Sequence, residues 1–195
     1  MGKLKSCFLC LIVVLFSLGF MTESEAAPLG FKRPRATFAL GIDAFDALTG
    51  EFGKASDAGM SVFAESSLQL GGYFGANIRF GSARAFTNKD FLPFDEGYQY
   101  VYVVFGPRFY LSPFRKLSLN FYAQPEIAMQ VLVSNTLVSL TGNQQFTGAA
   151  GGSLGAQFLV GILSVSGQLT CQYNWNLKTV IFGGGLSIGV SSTLK

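Results

Sequence analysis

Asp43, Glu65, Arg79, Arg108 and Glu126 are the residues with which this chain could do charge-based chemistry, since each stands nearly alone among uncharged neighbours. A pair of carboxylates such as Glu65 and Glu126 is the minimum for glycoside hydrolysis, in which one acid protonates the leaving oxygen and the other acts as base or nucleophile. The same five residues also suit a buried cluster in which each charge is held by an opposite one. The second reading carries more weight, because the chain contains no histidine. Ser-His-Asp and Cys-His catalysis and histidine metal sites are therefore out of reach. No residue spacing marks a catalytic centre, a cofactor site or a metal site. Gly183-Gly184-Gly185 imitates part of a phosphate loop, but it lies inside a strand-like alternation with no helix after it, so it is read as backbone accommodation.

The elements that must position these charges show as hydropathy of period two. In LSLNFYAQPEIAMQV, Leu117 to Val131, every odd residue is apolar and the even ones are polar except Ala128. Successive side chains of an extended backbone leave opposite faces, so this is a strand. Seven further stretches behave alike. Phe38, Leu40, Ile42 and Ala44 oppose Thr37, Ala39, Gly41 and Asp43; Met60, Val62, Ala64, Leu68 and Leu70 oppose Ser61, Glu65, Ser67 and Gln69. After a turn at Gly71-Gly72, Phe74 to Phe80 places Asn77 and Arg79 on the polar side, and Val101, Val103, Phe105, Phe109 and Leu111 oppose Tyr100, Tyr102, Arg108 and Tyr110. Leu154 to Val160, Leu163 to Trp175 and Val180 to Val190 complete a set of eight. Parity switches between the sixth and seventh, as a two-residue hairpin turn at Gly161-Ile162 requires. Connections alternate long and short, which brings Asp46 to Gly59, Thr87 to Gly97 and Leu132 to Gln145 to one end.

The chain opens with Lys3 and Lys5, an apolar run from Cys7 to Met21 and small residues at Ser24 and Ala26. That is the pattern of a secretory signal peptide over residues 1–26, cut after Ala26. Residues 27–34 read as an N-terminal extension and 35–195 as one barrel domain. Taking Lys3, Lys5, Glu23 and Glu25 from the totals of 14 basic and 11 acidic residues leaves 12 against 9. So small a net charge argues against nucleic acid as a partner. Downstream of the leader Cys171 is the one cysteine, which implies no disulfide framework.

Which face is wet follows from composition. A soluble barrel would carry roughly a quarter to a third charged residues outside, whereas the polar faces here hold Ser, Thr, Gln, Asn, Gly and Tyr with the five charges named above. Such a face suits a narrow bore, and the apolar face, with no charge along these strands, suits lipid. Tyr173 and Trp175 fall on the apolar face at one strand end, where interfacial aromatics belong. If the second and third strands pair about Gly72, Glu65 lies beside Arg79, and Asp43 joins them in an internal ion cluster; a gate or ion path through Arg79 and Arg108 is the functional alternative. Pro107 and Pro125 fall inside strands that no sheet edge can shelter, and a bulge is expected at each.

With its leader, dyad repeat and alternation of short turns and long loops, the span Arg35 to Ser191 resembles the small eight-stranded outer-membrane barrels of bacteria, the OmpA-type transmembrane domain and the opacity-like proteins. The resemblance implies an all-β, eight-stranded antiparallel up-and-down transmembrane β-barrel of the bacterial outer membrane; no cofactor is expected, and the lack of histidine argues against an enzyme. Its partners would be outer-membrane lipid, periplasmic chaperones and the barrel-assembly machinery. The function so implied is structural or one of surface interaction through the long loops, whose ligand is open. A narrow channel for small solutes or ions and a secreted soluble lipid-binding barrel are the alternatives.

Overall fold

The computed structural model describes residues 34–50, 53, 56–70, 72–87, 98–111, 119–133 and 145–193. The expected leader at 1–26 and the expected extension, up to residue 33, lie outside them, as do most of the connections at 87–97 and 132–145. Eight strands follow in chain order: β1 (Arg35–Ala47), β2 (Ser56–Leu70), β3 (Phe74–Thr87), β4 (Tyr98–Leu111), β5 (Leu119–Leu132), β6 (Phe146–Val160), β7 (Leu163–Asn174) and β8 (Thr179–Thr193). Each pairs antiparallel with the next, and β8 closes on β1. The hairpin at Gly161-Ile162 pairs Val160 with Leu163, with Gly161 at φ 61°.

Orientation follows parity. Leu169 is 58% exposed and its neighbour Gln168 8%; Phe121 and Ile188 likewise face outward while Tyr122 and Ser187 are buried. A wall whose outer residues are Leu, Ile, Val and Phe and whose inner ones are hydrogen-bonded amides and hydroxyls is the arrangement lipid selects. Strands of this length, at about 3.3 Å per residue and a tilt near 40°, rise roughly 30 to 38 Å, more than the apolar band of about 25 Å. The surplus lies toward the long-loop end, where β1, β2 and β3 run beyond the expected limits.

Three expectations need correcting. The outward face is not free of charge: Asp46 and Arg84 both point out near the long-loop ends of β1 and β3. They lie toward the long-loop rim, Asp46 opposite Phe182 and Arg84 opposite Met60, where a charge costs less than at the midplane. Nor is the inner face polar throughout. At the long-loop end Phe45, Ala83, Ala85, Tyr100, Leu132 and Ile181 turn inward and pack as an apolar cluster.

The third concerns the prolines. Neither produces a bulge: β3–β4 and β5–β6 run through them in unbroken register. Between β4 and β5 the pairing stops after Phe105↔Ile127 and resumes in the same register at Phe109↔Ala123, which sets Pro107 opposite Pro125. Tyr110 N donates to Tyr73 O on the β3 side and Val133 N to Gln99 O on the β4 side. Amides alternate in direction along a strand, so the nitrogens of Pro107 and Pro125 both face the β4–β5 seam. Both missing donors thus fall on one residue pair, and the rest of the ladder is untouched.

The outward assignment predicts a depth-dependent penalty. Leu169→Arg, at mid-height of β7, should destabilise the barrel by about 2 to 4 kcal/mol in reversible unfolding from lipid vesicles, and Tyr173→Arg, near the rim, by about 1 kcal/mol or less.

Candidate functional site in the lumen

The five charged residues enter the bore from five consecutive strands, β1 to β5, and all are buried. Register sets Glu65 directly opposite Arg79 and Ala39, with Asp43 further along β1. Arg79 donates from Nε and Nη2 to Glu65 Oε2 at 3.3 and 3.2 Å. Its Nη1 lies 3.7 Å from Asp43 Oδ2, and its Nη2 lies 4.0 Å from Glu126 Oε1. Arg108 takes the other oxygen of Glu65, donating from Nη1 to Oε1 at 3.0 Å. Glu65 is thereby the carboxylate that joins two guanidiniums.

Amides complete the network. Arg79 Nη2 donates to Gln168 Oε1 at 2.5 Å, and Gln168 Nε2 donates to Asp43 Oδ1 at 3.2 Å. Arg108 Nε donates to Gln124 Oε1 at 2.7 Å, and Gln124 Nε2 passes the chain on to Glu126 Oε1 at 3.1 Å. Ser153 Oγ and Gln172 Nε2 each donate to Glu126 at 2.8 Å. The guanidiniums also stack on rings, Arg79 over Phe63 at 4.7 Å and Arg108 over Tyr122 at 4.1 Å. Space for so many long side chains comes from glycine. A Cβ on Gly185 would occupy the place of the Asp43 carboxylate, and one on Gly155 that of the Tyr122 ring.

Above this cluster, toward the long loops, lies a cavity of about 40 Å³ of mixed lining, bordered by Asp43, Arg79 and Gln172 on one side and by Phe45, Tyr100 and Ile181 on the other. It has room for very few waters. Beyond it the apolar cluster fills the bore, and Leu177, from the tight turn between β7 and β8, is buried within it. That turn is held in place by Asn174, which is fully buried. Asn174 Oδ1 accepts from Leu177 N and Thr147 Oγ1, both at 2.9 Å, and Asn174 Nδ2 donates to Gln130 Oε1 at 2.6 Å. Lys178 at φ 48° reverses the chain, and Val180 N donates to Thr49 Oγ1 at 2.9 Å, tying the turn to the end of β1.

Glu65 and Glu126 do not form an open pair of acids: each is saturated by arginine or amide donors. Gln124, Gln168 and Asn174 were not singled out from the sequence. Their signal was a large amide on the inward parity, which marks a position in the bore but not a partner. Among the described residues no group of acidic, cysteine or histidine side chains is placed to hold a metal.

A closed wall with a filled bore and a lipid-facing exterior defines a small eight-stranded transmembrane barrel. Solved structures share it. Neisserial surface protein A is 10% identical, covering 85% of this chain and 99% of its own, with a TM-score of 0.56. The outer membrane protein OprG of Pseudomonas aeruginosa is 10% identical over 85% and 99%, with a TM-score of 0.55. Ail, the attachment invasion locus protein of Yersinia pestis, is 12% identical over 83% and 100%, with a TM-score of 0.50. At such identities the likeness is one of fold. No protein-family model and no curated protein matches the chain.

Removing one partner from a buried charge network leaves the other charge uncompensated, which costs roughly 3 to 5 kcal/mol. Arg79→Ala and Glu65→Ala should each lose about that much in denaturant unfolding, and the double variant much less than their sum. Simple additivity would show that the two charges act independently.

Proposed function

We propose that the protein is an exported, integral outer-membrane barrel with no enzymatic activity, a closed pedestal that serves a structural or surface-interaction role through its long-loop end. The observation that carries this reading is the double seal of the bore. An ion and amide network crosses it at mid-height, and a separate apolar plug built around Phe45, Tyr100, Leu132, Leu177 and Ile181 fills its long-loop end. An eight-stranded barrel has an interior only wide enough for side chains, and here those side chains leave little space. A solute path would have to displace both layers, which disfavours the narrow channel. A soluble lipid carrier would need an apolar calyx inside and a polar exterior; this wall is built the other way round. The names of the structural neighbours agree with the reading: one is an outer membrane protein, one a surface protein and one an attachment invasion locus protein.

Because the seals are separate, opening one should not open the bore. In planar bilayers the protein and its Arg79→Ala variant should both lack steady single-channel steps. Arg79→Ala combined with Leu177→Gly and Tyr100→Ala should give small ohmic steps. Ohmic conductance in the unaltered protein would overturn the pedestal reading in favour of the channel. Recovery of the protein in a soluble fraction without detergent would favour the carrier.

A further inference from the structure

The facing prolines leave a chemical residue on the lumen side of the wall. The carbonyls of Pro107 and Pro125 point into the same seam as their nitrogens, so neither meets a ladder donor there. One of them has a defined place. A Cβ on Gly106, which would point into the bore, would collide with Pro125 O; that oxygen therefore leans inward over Gly106.

Next to it lies an unusual patch of inner wall. Register pairs Asn77 with Gly106 and Gly75 with Arg108. Asn77 and Arg108 thus stand at opposite corners of a four-residue patch whose other corners are glycines. The Tyr110 ring covers Gly75 and closes the patch toward the short-turn end. Asn77 is 4% exposed and Arg108 0%, yet Asn77 Nδ2, Asn77 Oδ1 and Arg108 Nη2 have no hydrogen-bond partner among the described residues. Arg108 is otherwise fully engaged, through Nε with Gln124 and through Nη1 with Glu65.

Pro125 O stands where the side chain of Gly106 would begin, one lateral-pair spacing, roughly 5 Å, from the Asn77 Cβ. The unmatched atoms are two donors, Asn77 Nδ2 and Arg108 Nη2, and two acceptors, Asn77 Oδ1 and Pro125 O. An anion would meet the acceptor oxygens and a cation the guanidinium. A neutral species that both donates and accepts matches both kinds.

We infer that a long-lived water is bound at this patch, joining Asn77, Arg108 Nη2 and the Pro125 carbonyl, and that it replaces from inside one of the two hydrogen bonds that the double proline removes from the β4–β5 seam, the one to Pro125 O. A buried water commonly makes about three such bonds, and a bridging water is nearly as good as a direct bond. The wall then stays closed to lipid although two ladder donors are missing, and the unmatched carbonyl turns toward the bore rather than the membrane.

Two measurements on the full-length barrel folded in detergent micelles test this. Water-to-amide Overhauser spectroscopy should show a persistent contact between water and the Asn77 side-chain amide that disappears in Asn77→Leu. In a stability cycle, Pro107→Ala restores a backbone donor opposite Pro125 O, so the water loses one of its tasks. Asn77→Leu should accordingly shift the unfolding equilibrium about tenfold less in the Pro107→Ala background than in the unaltered chain. If Asn77→Leu does not assemble, Asn77→Ala serves the same comparison. Absence of the Overhauser contact, or additivity of the two substitutions, overturns the inference.

Discussion

Lipid supplies no hydrogen-bond partner, so each backbone donor and acceptor of a spanning sheet must be matched by the sheet itself. Closure of β8 onto β1 meets that demand, since it leaves no edge. Everything else in the molecule follows from closure. Once the wall is a cylinder, parity alone decides which side chains meet acyl tails and which fill the bore. The prolines fit the same constraint: two residues without an amide hydrogen are tolerated in mid-wall because they face each other.

The bore carries the second constraint. It is too narrow for bulk water to solvate charges, so the three carboxylates of Asp43, Glu65 and Glu126 are gathered round the two guanidiniums of Arg79 and Arg108. Gln124 and Gln168 act as couplers, each accepting from a guanidinium and donating to a carboxylate. Nearer the long loops the bore changes character from ionic to apolar, so the barrel is sealed by two layers of different chemistry. The long connections leave this body at one end. Loops positioned by a rigid scaffold are where recognition generally resides.

Much of this was visible in the sequence, and the physics explains why. A period of two over long stretches can only be a strand, and unbroken or switched parity fixes the length class of each turn; hence the eight strands and the pairing of Glu65 with Arg79. Strand ends were less clear, because alternation at the long-loop end gives way to inward apolar residues such as Phe45 and Leu132, which look like loop or lipid-facing residues when burial is unknown. Arg84 and Asp46 escaped notice for the complementary reason: they continue the outward parity beyond the strand limits that the alternation suggested. The couplers Gln124 and Gln168 bridge residues far apart in sequence, and no local pattern encodes that. The opposition of Pro107 and Pro125 depends on the length of the fourth connection, which the alternation constrains only to an odd number.

The orientation of the wall can be measured directly in a bilayer. With a lipid-soluble paramagnetic agent in the acyl region and a water-soluble one outside, nuclear relaxation should be enhanced by the first agent at the side chains of Phe121, Leu169 and Ile188. Tyr122, Gln168 and Ser187, on adjacent residues, should be protected from both agents. Strong lipid-agent enhancement at the second set, or water-agent enhancement at the first, would contradict an apolar exterior around a sealed polar bore.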